Sequence, residues 1–180
     1  MTSDVPFHHQ RFDITIDRSK RIKTCPMVVI CDIMDLLGED GYEVFEAVYN
    51  AIREWQPKQK YNSESEYRED LFQFLSSKAK KYLPQKESGR HLADIGVGSR
   101  VGIELKKDLH SKAEADRLIG QLTSFLRDYK YGVIVVACGK TDLNTWNYVK
   151  AQKLTLLAPY TESGILSSTT ERYLGFIEKA

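Results

Sequence analysis

The chain has 180 residues, 42% hydrophobic and 28% charged, with a formal net charge of +1. That length suits one domain with a sizeable core and no need of disulfide or metal staples. Near-neutrality excludes a global basic field, so a nucleic-acid partner would need a local basic patch. The longest apolar run, VIVVAC, is too short to span a bilayer. The first residues, MTSDVPFHHQRFDITID, hold no apolar signal core. The three cysteines, Cys25, Cys31 and Cys138, are odd in number and lack zinc-ligand spacing. Buried reduced thiols, a cytoplasmic setting and no membrane partner are therefore expected.

In chain order, FDITI (12–16) and MVVICDI (27–33) read as strands joined by the basic turn RSKRIK. Residues 42–55 read as a helix whose apolar stripe is Tyr42, Phe45, Val48, Tyr49, Ile52 and Trp55. Pro57 ends it and marks the boundary of an N-terminal extension, residues 1–60. A second helix is expected over 64–82, with Tyr67, Leu71, Phe74, Leu75 and Tyr82 on its apolar face. Ser63 and Glu66 form a capping box at its start. A hairpin over 91–107 follows, then a helix over 112–129 that buries Leu118, Leu122, Phe125 and Tyr129. GVIVVAC (132–138) is apolar on both faces and reads as a fully buried strand. Residues 142–152 read as a further helix. The core is thus placed at 61–157, with 158–180 a tail of unassigned structure. This succession indicates an α/β sandwich around a mixed sheet.

The hairpin carries the chemistry. Side chains alternate along a strand. Val101, Ile103 and Leu105 share one face, and Gly102, Glu104 and Lys106 the other. On the first strand Ala93, Ile95 and Val97 are apolar, with Asp94, Gly96 and Gly98 opposite. A three-residue turn at Gly98–Ser99–Arg100 pairs Val97 with Val101 and Ile95 with Ile103, and so sets Asp94 across from Glu104. A two-residue turn scrambles both faces, which burial of one face forbids.

Directly opposite residues have Cβ atoms about 4.5–5.5 Å apart, and like charges there destabilise a sheet. Two carboxylates so close repel, or one keeps its proton. A bound divalent cation resolves the conflict: Mg²⁺ takes carboxylate oxygens and keeps waters that a phosphate can replace. Lys106 on the same face would orient a water or stabilise negative charge on a phosphorane. The plainer reading is a solvated charged strand face. Glycines opening space on that face favour the site, because strand glycines often mark close approach of a ligand or backbone.

Asp94 and Glu104-Leu105-Lys106 resemble the motif of the PD-(D/E)xK nuclease superfamily, over roughly residues 61–139. The likeness implies a restriction endonuclease-like core: helix, three strands, helix, strand, as a mixed sheet flanked by helices. It implies Mg²⁺-dependent hydrolysis of phosphodiester bonds in DNA, with Mn²⁺ as substitute. Asp94 and Glu104 would be metal ligands, joined by the Leu105 backbone carbonyl. Ala93 stands where the motif has proline, and LPQKESG (83–89), where a first core strand is due, is poor strand material. Such nucleases add an acid from the first helix and often act as dimers, here with the N-terminal extension as an interface.

Glu64, Glu66, Glu69 and Asp70 compete for the helix acid. Glu64 is preferred because it shares a face with Tyr67, Leu71 and Leu75, Glu66 comes next but has a capping role, and Glu69 points away. The plainer reading of Glu64 is a favourable charge at a helix N-terminus. Gln121, four residues before the aromatic Phe125, is either a substrate contact or an ordinary buried amide. Lys78, Lys80, Lys81, Lys86, Arg90, Arg100, Lys107, Lys112 and Arg117 make a modest positive patch. The expected function is a metal-dependent endonuclease of restriction or repair type. The alternative is a catalytically inactive nucleic-acid-binding or assembly module on the same fold.

Overall fold

The structure, a computed structural model, describes residues 41–78, 84–86, 92–98, 100–160 and 171–179. Helices α1 (Gly41–Glu54) and α2 (Glu64–Lys78) precede strands β1 (Pro84–Lys86), β2 (Ile95–Val97) and β3 (Val101–Lys107). Helix α3 (Lys112–Asp128), strand β4 (Gly132–Cys138), helices α4 (Leu143–Ala151) and α5 (Lys153–Leu157), a 3₁₀ turn (Ala158–Tyr160) and strand β5 (Tyr173–Lys179) complete the order. The strands expected at 12–16 and 27–33, Cys25, Cys31 and the end of the second predicted helix lie outside the described residues.

Among the described residues, five strands form one mixed sheet in the order β1-β2-β3-β4-β5. β1, β2 and β3 pair antiparallel, and β3, β4 and β5 parallel. Ile95 faces Ile103 and Val97 faces Val101, the register of the three-residue turn. Each face of the sheet has its own core. One gathers Val44, Val48, Ile52, Tyr67 and Leu71 of α1 and α2 against Ile95, Ile103, Leu105 and Ile134. The other gathers Leu118, Leu122 and Phe125 of α3 and Trp146 of α4 against Val133, Val135 and Leu174. Every residue of β4 is buried, as expected of a strand covered by helices on both sides. Burying one such Ile or Val side chain stabilises the fold by about 1.5–3 kcal/mol. Cys138, at the end of β4, is a free buried thiol whose pKa burial pushes up to about 12.

The residues after Leu157, left unassigned from sequence, include β5, which runs parallel to β4 along its whole length. Gly132 begins β4 at φ +127°, and a Cβ there would stand 1.9 Å from the Tyr173 carbonyl oxygen. Glycine therefore lets β4 and β5 start side by side. Lys179 is buried at the end of β5, where its ammonium donates to the Arg53 carbonyl, 2.8 Å away, at the end of α1. Tyr42, placed on the apolar stripe of α1 from its spacing, is exposed, and Val44 is buried instead. The Tyr42 ring packs edge-on to Tyr173, and its hydroxyl donates to Glu46, which keeps its polar end in water.

α1 and α2 are stapled by a buried carboxylate. Asp70 accepts the Trp55 indole N–H at 3.3 Å and the Lys58 backbone N–H at 3.1 Å, and it pairs with the Lys58 ammonium at 3.1 Å. The Lys58 ammonium is largely exposed, so solvent screens it and the two N–H bonds matter more. Asp70→Ala leaves both donors short of an acceptor. The stability loss expected is about 2–3 kcal/mol, read as a lower urea midpoint at unchanged m. A midpoint within error of the native chain would show that the staple contributes nothing.

Candidate active site

β2 begins at Ile95, whereas β3 runs on to Lys107. In a strand, alternate residues aim their N–H groups at the same neighbour. The N–H groups of Leu105 and Lys107 thus face the side where β2 has already ended. Two carboxylates take them. Asp94, just before β2, accepts the Leu105 N–H at 2.8 Å. Glu64, at the first turn of α2, accepts the Lys107 N–H at 3.1 Å.

Glu104 and Lys106 point to the α3 face of β3. The Lys106 ammonium lies 2.5 Å from Glu104 Oε1 and 3.6 Å from Glu64 Oε1. Asp94 has its own cation, Arg68 of α2, at 3.5 Å. Asp94, Glu104, Lys106 and Glu64, the residues expected to act together, therefore meet at the C-terminal end of β3. Arg68 was not anticipated from sequence. Its signal was there: it stands four residues after Glu64, on the same side of α2.

Glu104 is the most enclosed member, its side chain 5% exposed against 19% for Lys106. Burial pushes its carboxyl up to about 7, against the pull of Lys106, with Asp94 and Glu64 adding to the rise. Burial alone would lower the Lys106 pKa, but the Glu104, Glu64 and Asp94 carboxylates outweigh it and raise the value. The less enclosed partner feels the smaller desolvation, so the pair stays an ammonium beside an easily protonated acid.

Two expectations about the hairpin change. The space beside Gly102 is not open, because the Tyr129 ring fills it, 2.6 Å from where a Cβ would stand. The Tyr129 hydroxyl in turn accepts the Ala93 N–H at 3.2 Å, which fixes the chain next to Asp94. Ala93 precedes β2 and packs in the core under α3, so it does not share the face of Ile95 and Val97. The glycine thus serves an aromatic anchor.

A cleft of about 300 Å³ opens beside the cluster, walled by Glu64, Lys106, Asp108, Arg117 and Gln121 among others. The Gln121 side-chain oxygen is buried without a hydrogen-bond partner among the described residues. Glu66 closes the capping box: it accepts the Ser63 N–H at 2.9 Å, while the Glu66 N–H reaches Ser63 Oγ at 3.3 Å. Glu69 turns to Lys86 on β1. Much of the expected basic patch is neutralised, Lys78 by Glu54, Lys86 by Glu69, Lys107 by Asp108 and Lys112 by Asp116. Arg100 is buried with its guanidinium over the Tyr131 ring. Lys80, Lys81 and Arg90 lie outside the described residues.

The donors fit a hard cation in chemistry, since Asp94, Glu104 and Glu64 offer only carboxylate oxygens. Among the described residues, no group of three or more His, Cys, Asp or Glu is gathered as a ready metal cage. The acids are instead paired with Arg68 and Lys106. The Lys106 ammonium neutralises two of them at once, as a metal ion would.

Glu104 gives a pH test. Its pKa rises from 4.5 to about 7 on folding, so the fold favours its neutral form. That stabilisation is complete below the unfolded value and is lost as pH rises through the folded one. Glu104→Gln copies the neutral form at every pH. The Tm of the variant relative to the native chain should therefore climb between about pH 4.5 and 8. A difference flat across that range would mean Glu104 titrates as an ordinary acid. No family model matches this chain, and neither a curated protein nor a solved structure matches it.

Proposed function

We propose that the chain is a metal-dependent nuclease that hydrolyses phosphodiester bonds in DNA, an endonuclease of restriction or repair type. The observation that carries this reading is the meeting of Asp94, Glu104 and Lys106 from one hairpin with Glu64 from the flanking helix. The order α2, β1, β2, β3, α3, β4 supports a restriction endonuclease-like core. Placement favours a ligand as well, since open α/β sheets bind at the C-terminal ends of their parallel strands.

Asp94, Glu104 and the Leu105 carbonyl are the groups that would hold Mg²⁺, with Mn²⁺ as substitute. The carbonyl and N–H of one strand residue point to the same side, so the Leu105 carbonyl faces the Asp94 edge. When bound, the ion supplies Lewis-acid polarisation of a phosphoryl oxygen and a more acidic water. Lys106 sets a positive charge where negative charge develops on the phosphate. Glu64 orients Lys106 from the open side and caps β3. The buried, unpartnered oxygen of Gln121 suits a donor on the substrate.

One observation favours the alternative, an inactive nucleic-acid-binding or assembly module on this fold: Lys106 and Arg68 already balance much of the acids' charge. Cleavage separates the two readings. Linear, nicked, branched and single-stranded DNA are each incubated with Mg²⁺, Mn²⁺ or EDTA. Cleavage should require the divalent ion, and Lys106→Ala or Glu104→Ala should lower its rate about a hundredfold or more in variants that circular dichroism shows to be folded. Cleavage indifferent to EDTA, or unchanged in Glu104→Ala, rules the nuclease site out. Glu64→Gln and Glu66→Gln divide the helix acids. The first should slow cleavage with the helix intact, whereas the second should lower Tm through its cap and spare the reaction.

A further inference from the structure

A second groove lies beside α2's first turn. Its volume is about 470 Å³, and Pro57, Gln59, Lys60, Tyr67, Gly139 and Lys140 line it. Both lysines are exposed. Among the described residues neither ammonium has a hydrogen-bond or ion-pair partner. Neither was singled out by the sequence pattern, because they lie 80 positions apart in the chain.

The backbone that carries each lysine is pinned. Before Lys60, the Lys58 N–H is held by buried Asp70 at 3.1 Å. After it, the Asn62 and Ser63 N–H groups both donate to Glu66, at 3.2 and 2.9 Å. The Lys140 N–H donates to Asp108 Oδ1 at 2.9 Å, next to Gly139 at φ +80°. Asp108 itself stands in the left-handed region, at φ 57°, where aspartate is one of the few tolerated residues. The nearby acids are thereby committed. Asp70 serves Trp55 and Lys58, Glu66 serves the helix cap, and Asp108 serves Lys107 and the Lys140 backbone. Two positive charges without a partner among the described residues are left on the lining of one groove.

This groove adjoins the site. Asp108 also walls the cleft beside Lys106, and Tyr67 follows Glu64 by three residues on α2. Tyr67 is only 4% exposed, so it floors the groove and offers no free ring for a base to stack on. Paired lysines without a stacking platform suit a phosphate, which an ammonium meets as a point charge.

We propose that Lys60 and Lys140 form a second phosphate-binding subsite, gripping the backbone of a DNA strand whose reacting phosphate lies at Lys106. The grip is independent of base sequence. The location of the reacting phosphate rests on the nuclease reading, whereas the charge of the groove does not.

The test is binding without cleavage. Fluorescein-labelled single-stranded and duplex DNA of unrelated sequences are titrated in EDTA, with fluorescence anisotropy as the readout, over a series of salt concentrations. The native chain is compared with K60E/K140E and with the charge-matched control R127E/K130E, at the far end of α3. The groove variant should bind at least about tenfold more weakly on every sequence, with the slope of log K against log salt reduced by about 1.5. The control should stay within about twofold of the native chain. Should K60E/K140E fold poorly, Lys60→Gln with Lys140→Gln gives the same comparison with smaller changes. Equal affinity and slope in groove variant and control overturn the subsite, as does a native chain that binds no DNA. DNA bound but never cut with Mg²⁺ or Mn²⁺ removes the nuclease reading and keeps the groove. Cleavage with an inert groove variant does the reverse.

Discussion

The site depends on a mismatch in strand length. β3 continues past the point where β2 has ended, and its edge would carry two unsatisfied N–H groups. Asp94 and Glu64 satisfy them. Each carboxylate thus has a backbone anchor as well as a charge, and a backbone donor moves far less than a side chain. Two acids from distant parts of the chain are brought to one edge by the demand that every buried amide find an acceptor. Removing either would leave an amide unpaired, so fold and site are satisfied by the same atoms.

The charges on the α3 face follow from that anchoring. With Asp94 and Glu64 at the edge, Glu104 has little water around it and Lys106 for a close companion. A buried pair of this kind is a weak source of stability, because desolvation offsets much of the attraction. Surrounding elements reinforce the location. α2 begins at Glu64, α3 follows β3 and α4 follows β4, so three helix N-termini lie toward this end of the sheet. Each contributes partial positive charge there, favourable to phosphate and carboxylate alike.

Much of this was legible in the sequence where one physical rule dominated. Strict alternation over Ile95–Val97 and Val101–Leu105 defined the register, because a slip would have turned apolar side chains to the charged face. The run Gly132–Cys138 could only be a strand covered on both sides. The helix stripe of α3 was equally plain, with Leu118, Leu122 and Phe125 at helical spacing. Where tertiary partners decide, local pattern was silent. β1 is three residues long and is held by pairing with β2, so its polar sequence gave little strand signal. β5 carries Gly175, Glu178 and a buried Lys179 whose partner is a carbonyl on α1. No local pattern marked Asp70 as the acceptor of Trp55 and Lys58, since only the fold brings them to it. In the site, the hairpin acids and lysine could be read from spacing. Lys60 and Lys140 could not, since only the fold makes them neighbours.

The late arrival of β5 has a consequence for how the chain reaches its native state. β4 is apolar throughout and pairs with β5, whose first residue comes 35 positions after β4 ends. Until that partner is in place, one side of GVIVVAC offers a row of bare amides and carbonyls flanked by β-branched side chains. Such a segment is a template for self-association between unfinished molecules. A chain shortened before Tyr173 would keep both hairpin acids and yet be prone to precipitate. β5 thus guards against aggregation, although it adds no side chain to the carboxylate cluster.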